Sequence, residues 1–249
     1  MNAEPGTVRR PPFRAVLDMA RAGNLPSVAS NVIAALVLSG ASGMNWPSSG
    51  QLVQALVAGF LLYAGGATLN DVADADFDRK HRPERAIPTG VFSRPVALAL
   101  GAVEMALGAA MLWRAGASPG ALGGLIAVIL AYDWLHKRWA GSVLLMAGCR
   151  SLLGISLATL PGHQAGTWFW AWTAAVFAYI VVLSVLARME YKQGSGEAAR
   201  TGRKIGRLLT FIPLIDAITL AVAGAWVGAA VCVVAIPVGR FAQRLAAST

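Results

Sequence analysis

The residues best placed to do chemistry lie in one short run, Asn70-Asp71-Val72-Ala73-Asp74-Ala75-Asp76-Phe77-Asp78, which holds four of the chain's twelve acids. On a helix, Asp71, Asp74 and Asp78 stand at i, i+3 and i+7 and share a face, with Asn70 one turn before Asp74. Three carboxylates so close repel one another, and a bound cation relieves that repulsion. An all-oxygen ligand set suits Mg²⁺ or Ca²⁺ rather than zinc. Mg²⁺ commonly takes a few carboxylates and shares its other positions with substrate phosphates. The plainer alternative is a solvated acidic helix end beside basic residues. Three further charges, Glu104, Arg150 and Asp216, fall deep inside apolar stretches. Charges in such places are costly and usually pair or line a cavity. The expectation is that Arg150 pairs with Glu104 or Asp216 and shapes a pocket floor. Asn24 and Asn31 face the same cavity or bond to a neighbouring helix.

The elements that must hold these residues are membrane spans. Of 249 residues, 56% are hydrophobic and only 13% charged, against roughly 25% charged in soluble domains. The mean hydropathy is +0.59. Stretches long enough to cross a bilayer are Pro26–Met44, Leu52–Asn70, Pro95–Trp113, Gly141–Leu160, Thr167–Ala187 and Ile205–Ala225, with Pro119–Trp134 and Val227–Phe241 somewhat short. The fold class expected is all-α: a polytopic bundle of about eight transmembrane helices in one domain, residues 1–249. Residues 1–24 form a cytoplasmic or interfacial lead-in with Arg14, Asp18 and Arg21 on its polar side. No cleavable signal peptide is visible in it.

Charge alternates between the connections. Basic residues crowd the N-terminus, Arg79–Arg94, Lys137-Arg138, Arg188–Arg207 and the tail, and the intervening connections hold only Arg114. With eight spans, every basic segment except Arg114 falls on one side, and the positive-inside rule makes that side cytoplasmic, with both termini. The net charge of +9 therefore points to anionic lipid headgroups and not to nucleic acid. Trp168, Phe169, Trp170 and Trp172 read as an interfacial belt on the outer side. Cys149 and Cys232 sit in apolar stretches as packed thiols, with no disulfide or metal spacing.

The N-D-x-x-D-x-x-x-D pattern at the end of the second span resembles the first aspartate motif of the UbiA superfamily of intramembrane prenyltransferases. Arg82-Pro83-Glu84-Arg85-Ala86-Ile87-Pro88-Thr89-Gly90 is similar to that family's R-P-I-P-S-G stretch, and Tyr132-Asp133-Trp134-Leu135-His136-Lys137-Arg138 to its Y-x-x-x-K-R ending of the fourth helix. The resemblance covers nearly the whole chain. It implies a prenyl diphosphate bound through Mg²⁺, loss of the diphosphate to leave an allylic cation, and attack by a small, often aromatic acceptor. Asn70, Asp71, Asp74 and Asp78 would bind the metal. Lys137, Arg138 and Tyr132 would contact diphosphate, although plain topology also accounts for the two cations and an interfacial position for the tyrosine.

The chain departs from the family in two places. The second aspartate motif, expected at the end of the sixth helix, reads Arg188-Met189-Glu190-Tyr191-Lys192 and holds no aspartate. Glu190 could supply one carboxylate, and the flanking Arg188 and Lys192 would bind phosphate directly. The family also usually has nine spans, the missing one here being C-terminal. Met146–Leu153, with Cys149-Arg150, resembles the UbiA-like branch that includes EboC. The favoured expectation is a Mg²⁺-dependent prenyltransferase of the bacterial inner membrane, with its rim cytoplasmic and a lipid-lined cavity opening sideways. The alternative is a UbiA-like protein that binds or moves an isoprenoid or metabolite without transferring it. An ion-coupled transporter is disfavoured by the absence of repeat halves.

Overall fold

A computed structural model describes residues 11–40, 46–191 and 208–246. Among them are ten α-helices: α1 (Pro12–Met19), α2 (Leu25–Ser39), α3 (Ser49–Ala73), α4 (Ala75–His81), α5 (Arg94–Arg114), α6 (Pro119–Leu135), α7 (Ser142–Ala158), α8 (Thr167–Tyr191), α9 (Ile212–Val222) and α10 (Trp226–Leu245). Each of the eight predicted stretches overlaps a helix, with 41–44 of the first and 205–207 of the seventh lying outside the described residues. Among the described residues, five helical segments are long and apolar enough to cross a membrane: Ala22–Ser39, Ser49–Ala73, Arg94–Arg114, Thr167–Arg188 and Trp226–Leu245. The last is longer than the sequence suggested, because the helix continues past Phe241 to Leu245. Helices α6, α7 and α9 are shorter apolar helices.

Local chemistry sets the helix starts. The hydroxyl of Ser48 accepts from the Gln51 N–H at the head of α3, and that of Ser93 accepts from the Val96 N–H at the head of α5. Each satisfies a backbone donor that the helix leaves open. Proline in the first turn of α2, α5, α6 and α9 removes a donor that would otherwise have no partner.

Twelve of the fifteen residues of α2 are buried, so this helix is the axis of the bundle, with α3, α7, α9 and α10 packed around it. Helices α3 and α5 pack most closely. A side chain at Gly65 would meet the Met105 nitrogen at 2.8 Å, and one at Gly108 would meet the Ala58 carbonyl oxygen at 2.8 Å. Small residues that let two backbones approach are a common way to hold helices together in lipid, where no hydrophobic drive between helices exists. Val28, Val32, Leu36, Leu62, Leu112 and Leu157 fill the interior. Val103, Leu107, Val182, Val222, Val234 and Phe241 point outward, as lipid-facing surface requires.

Three expectations need correction. Arg21 does not lie on a solvated polar side of the lead-in, since its side chain is only 12% exposed and turns inward to Asp71. The aromatic run is not one belt: Trp168 and Trp170 are exposed, but Phe169 and Trp172 are core residues, and the Trp172 indole donates to Asp216 at 2.7 Å. Arg150 forms no direct ion pair with Glu104 or Asp216. Its guanidinium donates to Asn31 and to Ser27, while Glu104 accepts from Thr68 at 3.1 Å between α3 and α5.

Candidate functional site

Helix α3 ends at Ala73, and Asp74 is both its C-cap and the residue that opens α4. Backbone bonds carry the chain almost helically across this break, from the Asp74 N–H to the Asn70 oxygen and from the Asp78 N–H to the Asp74 oxygen, both 2.9 Å. The face predicted from spacing therefore survives in outline. Asp71, Asp74 and Asp78 are all buried, and Asp76, off that face, is exposed and paired with Arg79 and Arg94.

The small turn at Asp74 divides the carboxylates between two sets of cations. Toward α1 and the segment before α5, Asp71 Oδ1 accepts from Arg21 Nη2 and from Arg85 Nη1, each at 2.6 Å, and Arg85 Nη1 also reaches Asp78 Oδ2 at 3.4 Å. Toward the end of α6, Asp74 Oδ1 lies 2.7 Å from Lys137 Nζ and 3.2 Å from His136 Nε2. The Lys137 ammonium also sits 3.6 Å above the centre of the Phe77 ring, a cation–π contact that fixes its position. Asn70 donates its Nδ2 to Asp133 Oδ1 at 3.2 Å. A cavity of about 210 Å³ opens on the first set, lined by Asp18, Arg21, Asp71, Glu84, Arg85 and Thr89 among others.

Electrostatics separate the carboxylates further. Burial favours the neutral form of Asp74, but the hydrogen bonds and charges of His136 and Lys137 outweigh it and hold its pKa below the ordinary value. Burial raises the pKa of Asp78, and Arg85 and Arg82 offset this only in part. For His136 burial acts downward, yet the bond to Asp74 prevails and the imidazolium is favoured.

The oxygen donors suit a hard cation such as Mg²⁺. Asp78 Oδ1 is buried and has no hydrogen-bond partner, so it offers an oxygen to such an ion. Among the described residues no three of His, Cys, Asp and Glu converge on one metal position. Mg²⁺ needs only one or two carboxylates when substrate phosphates complete its shell.

The remaining predicted residues are dispersed. Arg138 stacks outward over Trp134 at 5.9 Å, and the Tyr132 ring stacks on His136 at 5.3 Å. Arg188 is engaged by the turn after α6: its Nη2 donates to the carbonyls of His136 and Trp139 and to the Ser142 hydroxyl. Lys192 and the side chain of Glu190 lie outside the described residues. Arg150 and Asn31 belong to a separate network with Asp216, deeper in the bundle. Sequence reasoning missed Arg21, Arg85, Asp133 and His136 as site residues. For Asp133 the signal was an acid one residue from the end of the fourth span's apolar stretch.

Residues 29–249 match the family model described as the UbiA prenyltransferase family. A digeranylgeranylglyceryl phosphate synthase of Ignicoccus hospitalis is 33% identical over 120 residues, covering 48% of this chain and 38% of the relative. A 4-hydroxybenzoate octaprenyltransferase of Albidiferax ferrireducens is 37% identical over 101 residues, covering 39% of this chain and 34% of the relative. A protoheme IX farnesyltransferase of Mycolicibacterium smegmatis is 27% identical over 207 residues, covering 74% and 65%. These matches thus span between about a third and two thirds of the relatives' own length. A solved structure concerned with digeranylgeranylglyceryl phosphate synthase in membranes shares the fold, with a TM-score of 0.57 at 14% identity over 94% of this chain and 95% of the other. With its apolar helices, its buried carboxylates at the end of α3 and this match over most of its length, the chain is an integral membrane protein that belongs to the UbiA prenyltransferase family.

Proposed function

We propose that this chain is an intramembrane prenyltransferase that moves a prenyl group from a prenyl diphosphate to a small acceptor, such as an aromatic ring, with the help of Mg²⁺. The observation that carries this reading is the burial of Asp71, Asp74 and Asp78 together at one helix terminus, ringed by Arg21, Arg85, Lys137 and His136. Asn70, Asp71, Asp74 and Asp78 would hold the ion, whose chemistry is to neutralise charge on the leaving diphosphate. Arg21, Arg85 and Lys137 are placed to exchange a carboxylate partner for a phosphate oxygen, a bond of the same charge-assisted kind. Cleavage of the C–O bond leaves its electron pair on diphosphate and an allylic cation behind, and the acceptor's electrons then form the new bond. Arg138 would act by its charge at the rim, since it faces Trp134. The eight helices would all span the bilayer of a bacterial inner membrane, with termini and site on the cytoplasmic side.

A second reading is supported by the altered motif at Arg188–Lys192: a family member that binds or carries an isoprenoid without transferring it. Purified protein incubated with labelled prenyl diphosphates of several lengths, Mg²⁺ and membrane extract separates the two. A prenylated product that disappears in Asp71→Asn supports transfer. Metal-dependent binding without turnover at every chain length rejects transfer in favour of the carrier.

A further inference from the structure

We propose that Asp133 is a positioning residue that aims Asn70 at the cation, an inference resting on the metal-binding reading above. Asn70 is in the last turn of α3 and Asp133 in the last turn of α6, so their contact ties together the two helix ends that carry the site. An amide has one donor end and one acceptor end, and a carboxylate only accepts. With Asn70 Nδ2 donating to Asp133 Oδ1 at 3.2 Å, the amide cannot turn its nitrogen toward a metal. Its Oδ1, a proper ligand for Mg²⁺, is the end left for that purpose. Without Asp133 the amide could rotate and present N–H₂, which repels a cation.

Asp133 is itself 92% buried, being 8% exposed, and its Oδ2 has no hydrogen-bond partner. A carboxylate placed there for packing alone would be a poor choice, because an unsatisfied buried oxygen is destabilising. Its placement is accounted for by the outer-shell pattern, in which a group that does not touch the ion holds a ligand in register.

The test measures binding of Mn²⁺, standing in for Mg²⁺, to detergent-purified protein with inorganic pyrophosphate, read by electron paramagnetic resonance. Asp133→Asn retains an oxygen that can accept from Asn70 Nδ2, and Asp133→Leu does not. Asp133→Leu is expected to weaken Mn²⁺ binding on the order of 10- to 100-fold, with Asp133→Asn within about twofold of the natural protein. If Asp133→Leu fails to fold, the exchanged pair Asn70→Asp with Asp133→Asn decides, since it keeps the bond with donor and acceptor reversed and should retain binding. Equal loss in Asp133→Asn and Asp133→Leu, or no loss in either, or loss in the exchanged pair, overturns the proposal. Failure of the natural protein to bind Mn²⁺ at all would instead overturn the metal-binding reading on which it stands.

Discussion

Arg150 and Asp216 are joined through a single amide, with Asn31 accepting from the guanidinium at 2.5 Å and donating to both carboxylate oxygens at 2.9 and 2.8 Å. The opposite charges of α7 and α9 thus meet on the central helix without touching. Replacing Asn31 by Leu removes a partner from each, leaving Arg150 on Ser27 and Asp216 on Trp172, and losing hydrogen bonds to two charged groups costs on the order of 3 kcal/mol. Asn31→Leu should unfold at a clearly lower temperature in detergent. Glu104→Gln, whose oxygen still accepts from Thr68, should stay within about 0.5 kcal/mol of the natural protein. A large loss in Glu104→Gln would show that this acid has a charge partner after all.

The close packing of α3 on α5 makes a second prediction about stability. A methyl group at Gly108 would lie 2.8 Å from the Ala58 oxygen and 2.9 Å from the Leu62 nitrogen, and these are backbone atoms that cannot swing away. Gly108→Ala should therefore cost roughly 1–3 kcal/mol as an overpacked contact. At Gly123 no atom lies within 4 Å of the added carbon, so Gly123→Ala should be neutral or gain up to about 1 kcal/mol from helix propensity. Thermal denaturation of both variants in one detergent checks the contrast, and equal behaviour would refute it.

These contrasts show what the linear sequence can and cannot reveal. Long apolar runs announce helices because lipid demands them, so each predicted stretch found its helix. The i, i+3, i+7 spacing likewise put Asp71, Asp74 and Asp78 on one face, and the fold buries all three. Their division between two cation sets was hidden, because it depends on a one-residue break at Asp74 that no proline or glycine marks. Arg21 turns inward because its carboxylate partner is 50 residues away. Trp172 leaves the expected belt because its partner is 44 residues away. Asp133 escaped notice for the same reason, its contact with Asn70 joining two helix ends that only the fold brings together.

At the other end of the bundle, His163 pins the loop before α8 to α2 and α3. The Gln51 amide donates to its Nε2 at 2.7 Å, so Nδ1 carries the hydrogen toward the Ser39 hydroxyl 3.0 Å away. Protonation would set a second ring N–H against the Gln51 amide hydrogens. Burial lowers the His163 pKa below its ordinary 6.5, with the Leu36 backbone opposing in part. The folded state therefore binds the proton less well than the unfolded state, and the stabilisation is present above pH 6.5 and lost as the pH falls through the folded pKa. Unfolding temperature should fall between pH 7 and pH 5, and His163→Gln should flatten that slope. An unchanged slope in the variant would assign the acid sensitivity to other groups.

Arg188 offers the last test, because sequence and structure give it different tasks. The altered second motif suggested direct phosphate binding, whereas the guanidinium is held by the His136 and Trp139 carbonyls at 2.5 and 3.1 Å and by Ser142 Oγ at 2.6 Å. Those three acceptors line the turn from α6 to α7, which carries His136 and Lys137 to Asp74. One charged nitrogen, Nη2, reaches all three acceptors; Met has no donor to replace it, and the shorter ammonium stem of Lys replaces it only in part. In Arg188→Met the turn should loosen, so amides from His136 to Ser142 should exchange hydrogen faster in protein without ligand. Arg188→Lys should fall between that variant and the natural protein. Pyrophosphate binding should weaken in parallel with the loosening, since Lys137 would no longer be held in place. If exchange in the turn stays unchanged while pyrophosphate binding is lost, Arg188 contacts phosphate itself and the turn-holding role drawn from its three bonds is wrong.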